Sequence, residues 1–196
     1  MEGEIMERKF GEGQNGFTLI EVLVVLAIMG LVAALMTIAV SKTLKRQRLG
    51  TAAAQLSSFI QKAYTNTSLN QREVFIEIGA AQSDGSRTAF MIEDSNENGS
   101  LDGTDTQLDT LSITPDLVLS NSTTAGVAWP VSSGNLIIGC SAGGRMVDPT
   151  TKTNLDHYVE LSITLSEMLS GDLTPGIRYT ITVYPIWKTE KTQTRY

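Results

Sequence analysis

A chain of 196 residues has room for one globular unit and an appendage, and excludes a multidomain machine. Its 41% hydrophobic and 18% charged residues exclude a disordered acidic tail, and its net charge of -6 argues against a nucleic-acid binder with a broad basic face. Cys140 is the sole cysteine and His157 the sole histidine, so neither an intrachain disulfide nor a histidine-rich metal site is available.

The first sixteen residues carry Glu2, Glu4, Glu7 and Glu12 against Arg8 and Lys9 with almost no apolar periodicity, and read as a polar leader of net charge -2. A start at Met6 would leave a shorter, neutral leader. From Phe17 to Val40 runs FTLIEVLVVLAIMGLVAALMTIAV, whose only charge is Glu21. As a helix it would span about 36 Å, enough to cross a bilayer and too long for the apolar region of an ordinary secretory signal. Lys42, Lys45, Arg46 and Arg48 then mark the membrane boundary. Counting basic residues alone, two before the span and four after it, would leave the C-terminal part in the cytoplasm.

Beyond the boundary Ala52, Ala53, Leu56, Phe59, Ile60, Ala63 and Tyr64 recur at spacings of three and four. This predicts that the helix continues in amphipathic form and stops near Asn66–Asn70, for a total of about fifty residues. The period then changes. Residues 74–78, 88–92, 136–138, 158–163 and 179–184 are short β-branched and aromatic runs separated by Gly, Asn, Ser and Asp clusters, and all five prolines lie in this half. The predicted fold class is α+β: one long N-terminal helix packed by its amphipathic half on a C-terminal antiparallel β-sheet domain. The segments are a leader at 1–16, a membrane or filament-core helix at 17–40, an amphipathic helix at 41–70 and a β-rich domain at 71–196.

A carboxylate inside an apolar helix costs a few kcal/mol or more unless paired, so Glu21 needs a partner. Cleavage after Gly16 would create one, the freed amine of Phe17, four residues before Glu21. The ordered run Gly16-Phe17-Thr18-Leu19-Ile20-Glu21-Val22, with a leader before and a spanning helix after, resembles the cleavage and methylation signal of the type IV pilin and pseudopilin superfamily. The resemblance is close over about residues 11 to 50 and architectural beyond, and is greatest to GspH/FimT-type minor pseudopilins of type II secretion. It implies a pilin-like fold, cleavage between Gly16 and Phe17 by a prepilin peptidase, N-methylation of Phe17, and assembly through Glu21 with other pilins or pseudopilins. It further implies a single-pass inner-membrane protein with a cytoplasmic leader and a periplasmic C-terminal domain, against the charge count. Neither enzymatic activity nor a nucleic-acid partner is expected, and a type IV pilus minor pilin is the competing reading.

Asp94, Asn96, Asn98, Ser100, Asp102 and Asp105 fall at positions 1, 3, 5, 7, 9 and 12 of a loop with Gly99 at position 6. That spacing suits calcium, which takes six to eight oxygens, although Asp105 is shorter than the usual glutamate and the flanks read as strands. An Asx-rich hairpin turn explains the same residues without metal. A similar stretch after a strand also occurs in GspH/FimT-like proteins. Cys140 reads as a buried small hydrophobe, His157 as a surface residue at a strand end, Trp129 and Trp187 as core or edge anchors, and Lys188, Lys191 and Arg195 as a solvated basic tail.

Overall fold

The computed structural model describes residues 17–121, 127–166, 176–186 and 188–195; the leader with Gly16, and Trp187, lie outside them. Helix α1 runs Leu19–Asn70, 52 residues against the fifty expected. The chain divides into two compact units between Lys42 and Thr43. In the first, every side chain from Phe17 to Met36 is exposed, and the helix is long and apolar enough to cross a membrane.

In the second unit α1 buries Leu49, Ala53, Leu56, Phe59, Ile60, Ala63 and Thr67, one face at spacings of three and four. Ala52 and Tyr64, expected in the same stripe, are half-buried at its margins. Each fully buried Leu or Ile contributes roughly 1.5–3 kcal/mol, so this face carries the attachment of the helix to the strands. The helix ends where Gln71 turns to φ +56°, its N–H donating to the Thr67 carbonyl at 2.9 Å and its side-chain amide to the Ser68 carbonyl at 2.9 Å. These bonds satisfy carbonyls that would otherwise lack partners at the C-terminus.

Twelve strands follow among the described residues: β1 Val74–Ile78, β2 Arg87–Glu93, β3 Thr106–Ile113, β4 Leu117–Asn121, β5 Val127–Ala128, β6 Val131–Ser132, β7 Asn135–Cys140, β8 Met146–Asp148, β9 Thr153–Asn154, β10 Val159–Leu165, β11 Ile177–Val183 and β12 Thr189–Arg195. They form two sheets instead of one. The first has the order β3-β2-β1-β7-β8-β9 with β6 beside β7, and the second β12-β11-β10-β4 with β5 beside β10. All pairings are antiparallel except β5 with β10. The five runs read from sequence fall in β1, β2, β7, β10 and β11, except that Tyr158 and Tyr184 lie just outside β10 and β11. The other strands went unread; among them TQLDTLSI and TEKTQTR are polar because β3 and β12 end their sheets and present little surface to the core.

Both faces of the first sheet hold apolar side chains. On β1, Val74, Ile76 and Ile78 join the main core with α1, whereas Phe75, also fully buried, lies on the opposite face. There the register sets Phe75 against Gly139 and Ile92, and Glu77 against Ile137. A Cβ on Gly139 would sit 2.6 Å from Val147 Cγ2 and 3.0 Å from Phe75 Cδ1, so any larger residue forces these side chains to shift. Ser133 (φ +52°) and Gly134 (φ +84°) make the two-residue turn from β6 to β7, whose two left-handed positions match strand twist.

Candidate functional site

The head of α1 is a capping box. Thr18 immediately precedes the helix, and Glu21 stands in its first turn. Glu21 N–H donates to Thr18 Oγ1 at 3.2 Å, while Thr18 N–H and its hydroxyl both donate to Glu21 Oε2, each at 3.2 Å. The Val22 N–H donates to the Thr18 carbonyl at 3.3 Å. The pair thus satisfies two donors that a helix start otherwise leaves unpaired, and a carboxylate here is also favoured by the helix dipole.

Phe17 lies before the first helical residue and is 84% exposed. The role of Thr18 was missed, although Thr-x-x-Glu before an apolar run is a legible capping signature.

The other candidate residues meet in the loop between β2 and β3. Asp94, only 1% exposed, accepts from the Asn98 N–H at 3.2 Å and the Gly99 N–H at 2.7 Å. The Asn98 N–H is shared with Asn96 Oδ1 at 3.1 Å, and the Ser100 N–H donates to Asn98 Oδ1 at 2.7 Å. Asp102 accepts from the Asn96 and Asn98 amides at 3.1 and 2.7 Å and from the Thr104 N–H and hydroxyl at 2.8 and 2.6 Å; these donors hold its carboxyl far below the usual range. Asp105 accepts from the Asp102 N–H at 2.8 Å and the Ser95 N–H at 3.3 Å.

The side-chain oxygens of Asp94, Asn96, Asn98, Asp102 and Asp105 are acceptors for the loop's own donors, an Asx-turn network to which Ser100 contributes its N–H. Among the described residues no three His, Cys, Asp or Glu side chains are grouped to hold a metal.

Lys152 ties the neighbouring turn to this loop, its Nζ donating to the Asn98 carbonyl at 3.0 Å. Glu73 has its carboxyl pushed up by burial and by the Asp94 charge, with Lys152 acting in the opposite direction. Arg72 pairs with Glu93 at 3.2 Å and Glu97 at 3.7 Å.

Cys140 is fully buried, and burial pushes its thiol up to about 12, which leaves it an unreactive core residue. His157 is exposed, and Trp129 belongs to the main core. Just before β12, Lys188 pairs with Glu190 at 2.6 Å, and within the strand Lys191 lies 5.3 Å over the Tyr179 ring.

A cleft of about 500 Å³ between α1, β3, β4 and β10 is lined by apolar side chains together with Gln47, Thr51, Gln55, Ser112, Thr114, Arg48 and Asp116, and neither histidine nor cysteine lines it.

Residues 13–37 match the family model of the prokaryotic N-terminal methylation motif. The capping box and most of the apolar run lie inside the matched region. No curated protein matches the sequence. Two solved structures are similar to it. The minor pseudopilin EpsH from the Type 2 Secretion System of Vibrio cholerae is 9% identical, with 73% of this chain and 94% of that one covered and a TM-score of 0.47. The type IV minor pilin FimU of Pseudomonas aeruginosa (strain PAO1) is 14% identical, with 76% and 90% covered and a TM-score of 0.45.

Proposed function

We propose that this chain is a minor subunit of a type IV pilin-like filament. A prepilin peptidase cleaves it between Gly16 and Phe17 and methylates the new Phe17 amine. The subunit is stored in the inner membrane through the first half of α1, with the β domain in the periplasm, and then passes into a fibre of similar subunits. The observation that carries the reading is the methylation-motif match over residues 13–37 at the head of an apolar segment whose described side chains from Phe17 to Met36 are all exposed. Such a surface is stable only in lipid or against other apolar helices, and in a bundle van der Waals packing replaces lipid.

Within the fibre Glu21 exchanges its bonds to Thr18 for the charged Phe17 amine of a neighbour, which sets the register of the incoming subunit. Among filament types we favour the type II secretion pseudopilus, with a type IV pilus minor pilin as the alternative. The resemblance of the Asp94–Gly99 stretch to GspH/FimT-type proteins supports the subfamily, and the filament type is left to experiment.

Mass spectrometry of protein isolated from its native host tests the processing step. A mature form beginning with N-methylated Phe17 is expected; uniformly unprocessed protein in cells containing assembled partner subunits would overturn it. Deleting the gene then separates the two filament types, through loss of protein export or loss of surface pili.

A further inference from the structure

The outer face of the first sheet carries a second cleft, of about 430 Å³, on the side away from the helix-covered core. Its floor is aliphatic, Ile92 and Ile137, and its walls come from the β2–β3 loop, the β6–β7 turn and the turn after β8. Glu77 stands in the floor and Asp102 in the wall; no Lys, Arg or His lines the cleft.

Asn135 orients Glu77. Its amide nitrogen donates to Glu77 Oε1 at 2.6 Å, and its own oxygen accepts from the Ala80 N–H at 2.8 Å, so the amide cannot turn without losing a bond. Among the described residues Glu77 Oε2 has no hydrogen bond, which leaves an acceptor for an incoming donor. Asp102, saturated by its four donors, acts as a fixed negative charge.

We infer that this cleft binds an arginine side chain presented by a partner protein, with the aliphatic stem on Ile92 and Ile137 and the guanidinium on Glu77. The combination of an apolar floor with a fixed carboxylate and net negative walls matches a side chain that is apolar along its length and cationic at its tip. A guanidinium brings several donors in a fixed fork, suited to Glu77 Oε2 and the surrounding hydroxyl groups of Ser132, Ser133 and Thr150. A saccharide is the less suitable occupant, because no aromatic ring lines the cleft for a sugar to stack on. The assignment rests on the β domain alone and stands whether or not the chain assembles into a fibre.

The test uses the full chain in detergent micelles and a fluorescent pentapeptide, acetyl-Gly-Gly-Arg-Gly-Gly, against its citrulline counterpart, which keeps the shape and loses the charge. Fluorescence anisotropy should show the arginine peptide binding about tenfold more tightly, a preference that weakens with salt. The preference should vanish in Glu77→Gln, which keeps an acceptor for Asn135. It should also vanish in Thr150→Arg, which supplies a competing guanidinium at the rim. Circular dichroism establishes that each variant folds, and either one suffices. Equal binding of the two peptides, a preference retained in a folded variant, or displacement by maltose with no arginine preference would each overturn the inference.

Discussion

Thr18 and Glu21 bind one another reciprocally: the carboxylate accepts the backbone N–H and hydroxyl of Thr18, and the hydroxyl accepts the N–H of Glu21. The acid in the apolar helix thus has an intrachain use before any partner arrives. Removing the cap by Thr18→Val should weaken the first turn by about 1 kcal/mol. Hydrogen exchange in micelles would show faster exchange at residues 19–22 only.

The two roles of Glu21 can be separated, because glutamine also serves in a capping box whereas alanine does not. Glu21→Gln is expected to keep first-turn protection yet co-assemble with partner subunits as poorly as Glu21→Ala. Both variants should still be processed and inserted. Normal assembly of Glu21→Gln would assign the residue to capping alone.

Gly139→Ala would place a methyl against Val147 and Phe75 at distances that force a shift. Overpacking of this kind costs about 1–3 kcal/mol. Chemical denaturation should show that loss, with partial recovery when Val147→Ala is added.

Leu56 and Ile60 anchor α1 on the sheets, and each is at most 1% exposed. Truncating either to alanine should cost roughly 2–5 kcal/mol through lost burial and the cavity left behind. Ser58→Ala, on the exposed face, should be nearly neutral in the same denaturation series.

Burial and the Asp94 charge raise the Glu73 carboxyl. A raised carboxyl binds its proton more tightly when folded than when unfolded. Its contribution is therefore fully present below the unfolded glutamate value and lost as pH rises through the folded one. Glu73→Gln should accordingly stabilise the protein at neutral pH by well under 1 kcal/mol, given solvent screening, with the gain disappearing in acid. Thermal melts across the acid range would check the sign.

Calcium addresses the Asp94–Asp105 loop directly. Since Asp94, Asp102 and Asp105 already accept protein donors, added calcium should leave the melting temperature unchanged within about 1 °C. A saturable rise, abolished in Asp94→Asn, would assign the loop to the metal.

The amino-acid sequence alone determined the long helix and its amphipathic second half, because those features rest on local periodicity, and the Thr18-x-x-Glu21 cap, though overlooked, was legible on the same local grounds. It also marked β1, β2, β7, β10 and β11 through short β-branched and aromatic runs. Only the tertiary structure decided that the strands divide into two sheets, that Phe75 and Gly139 build a second apolar layer, and that Asn135 aims Glu77 into a cleft. Those outcomes depend on pairings between residues far apart in the chain, as with Phe75 and Gly139. Nothing in a strand's own composition specifies its neighbour, and polar end strands such as β12 lack even the apolar pattern that betrays the others.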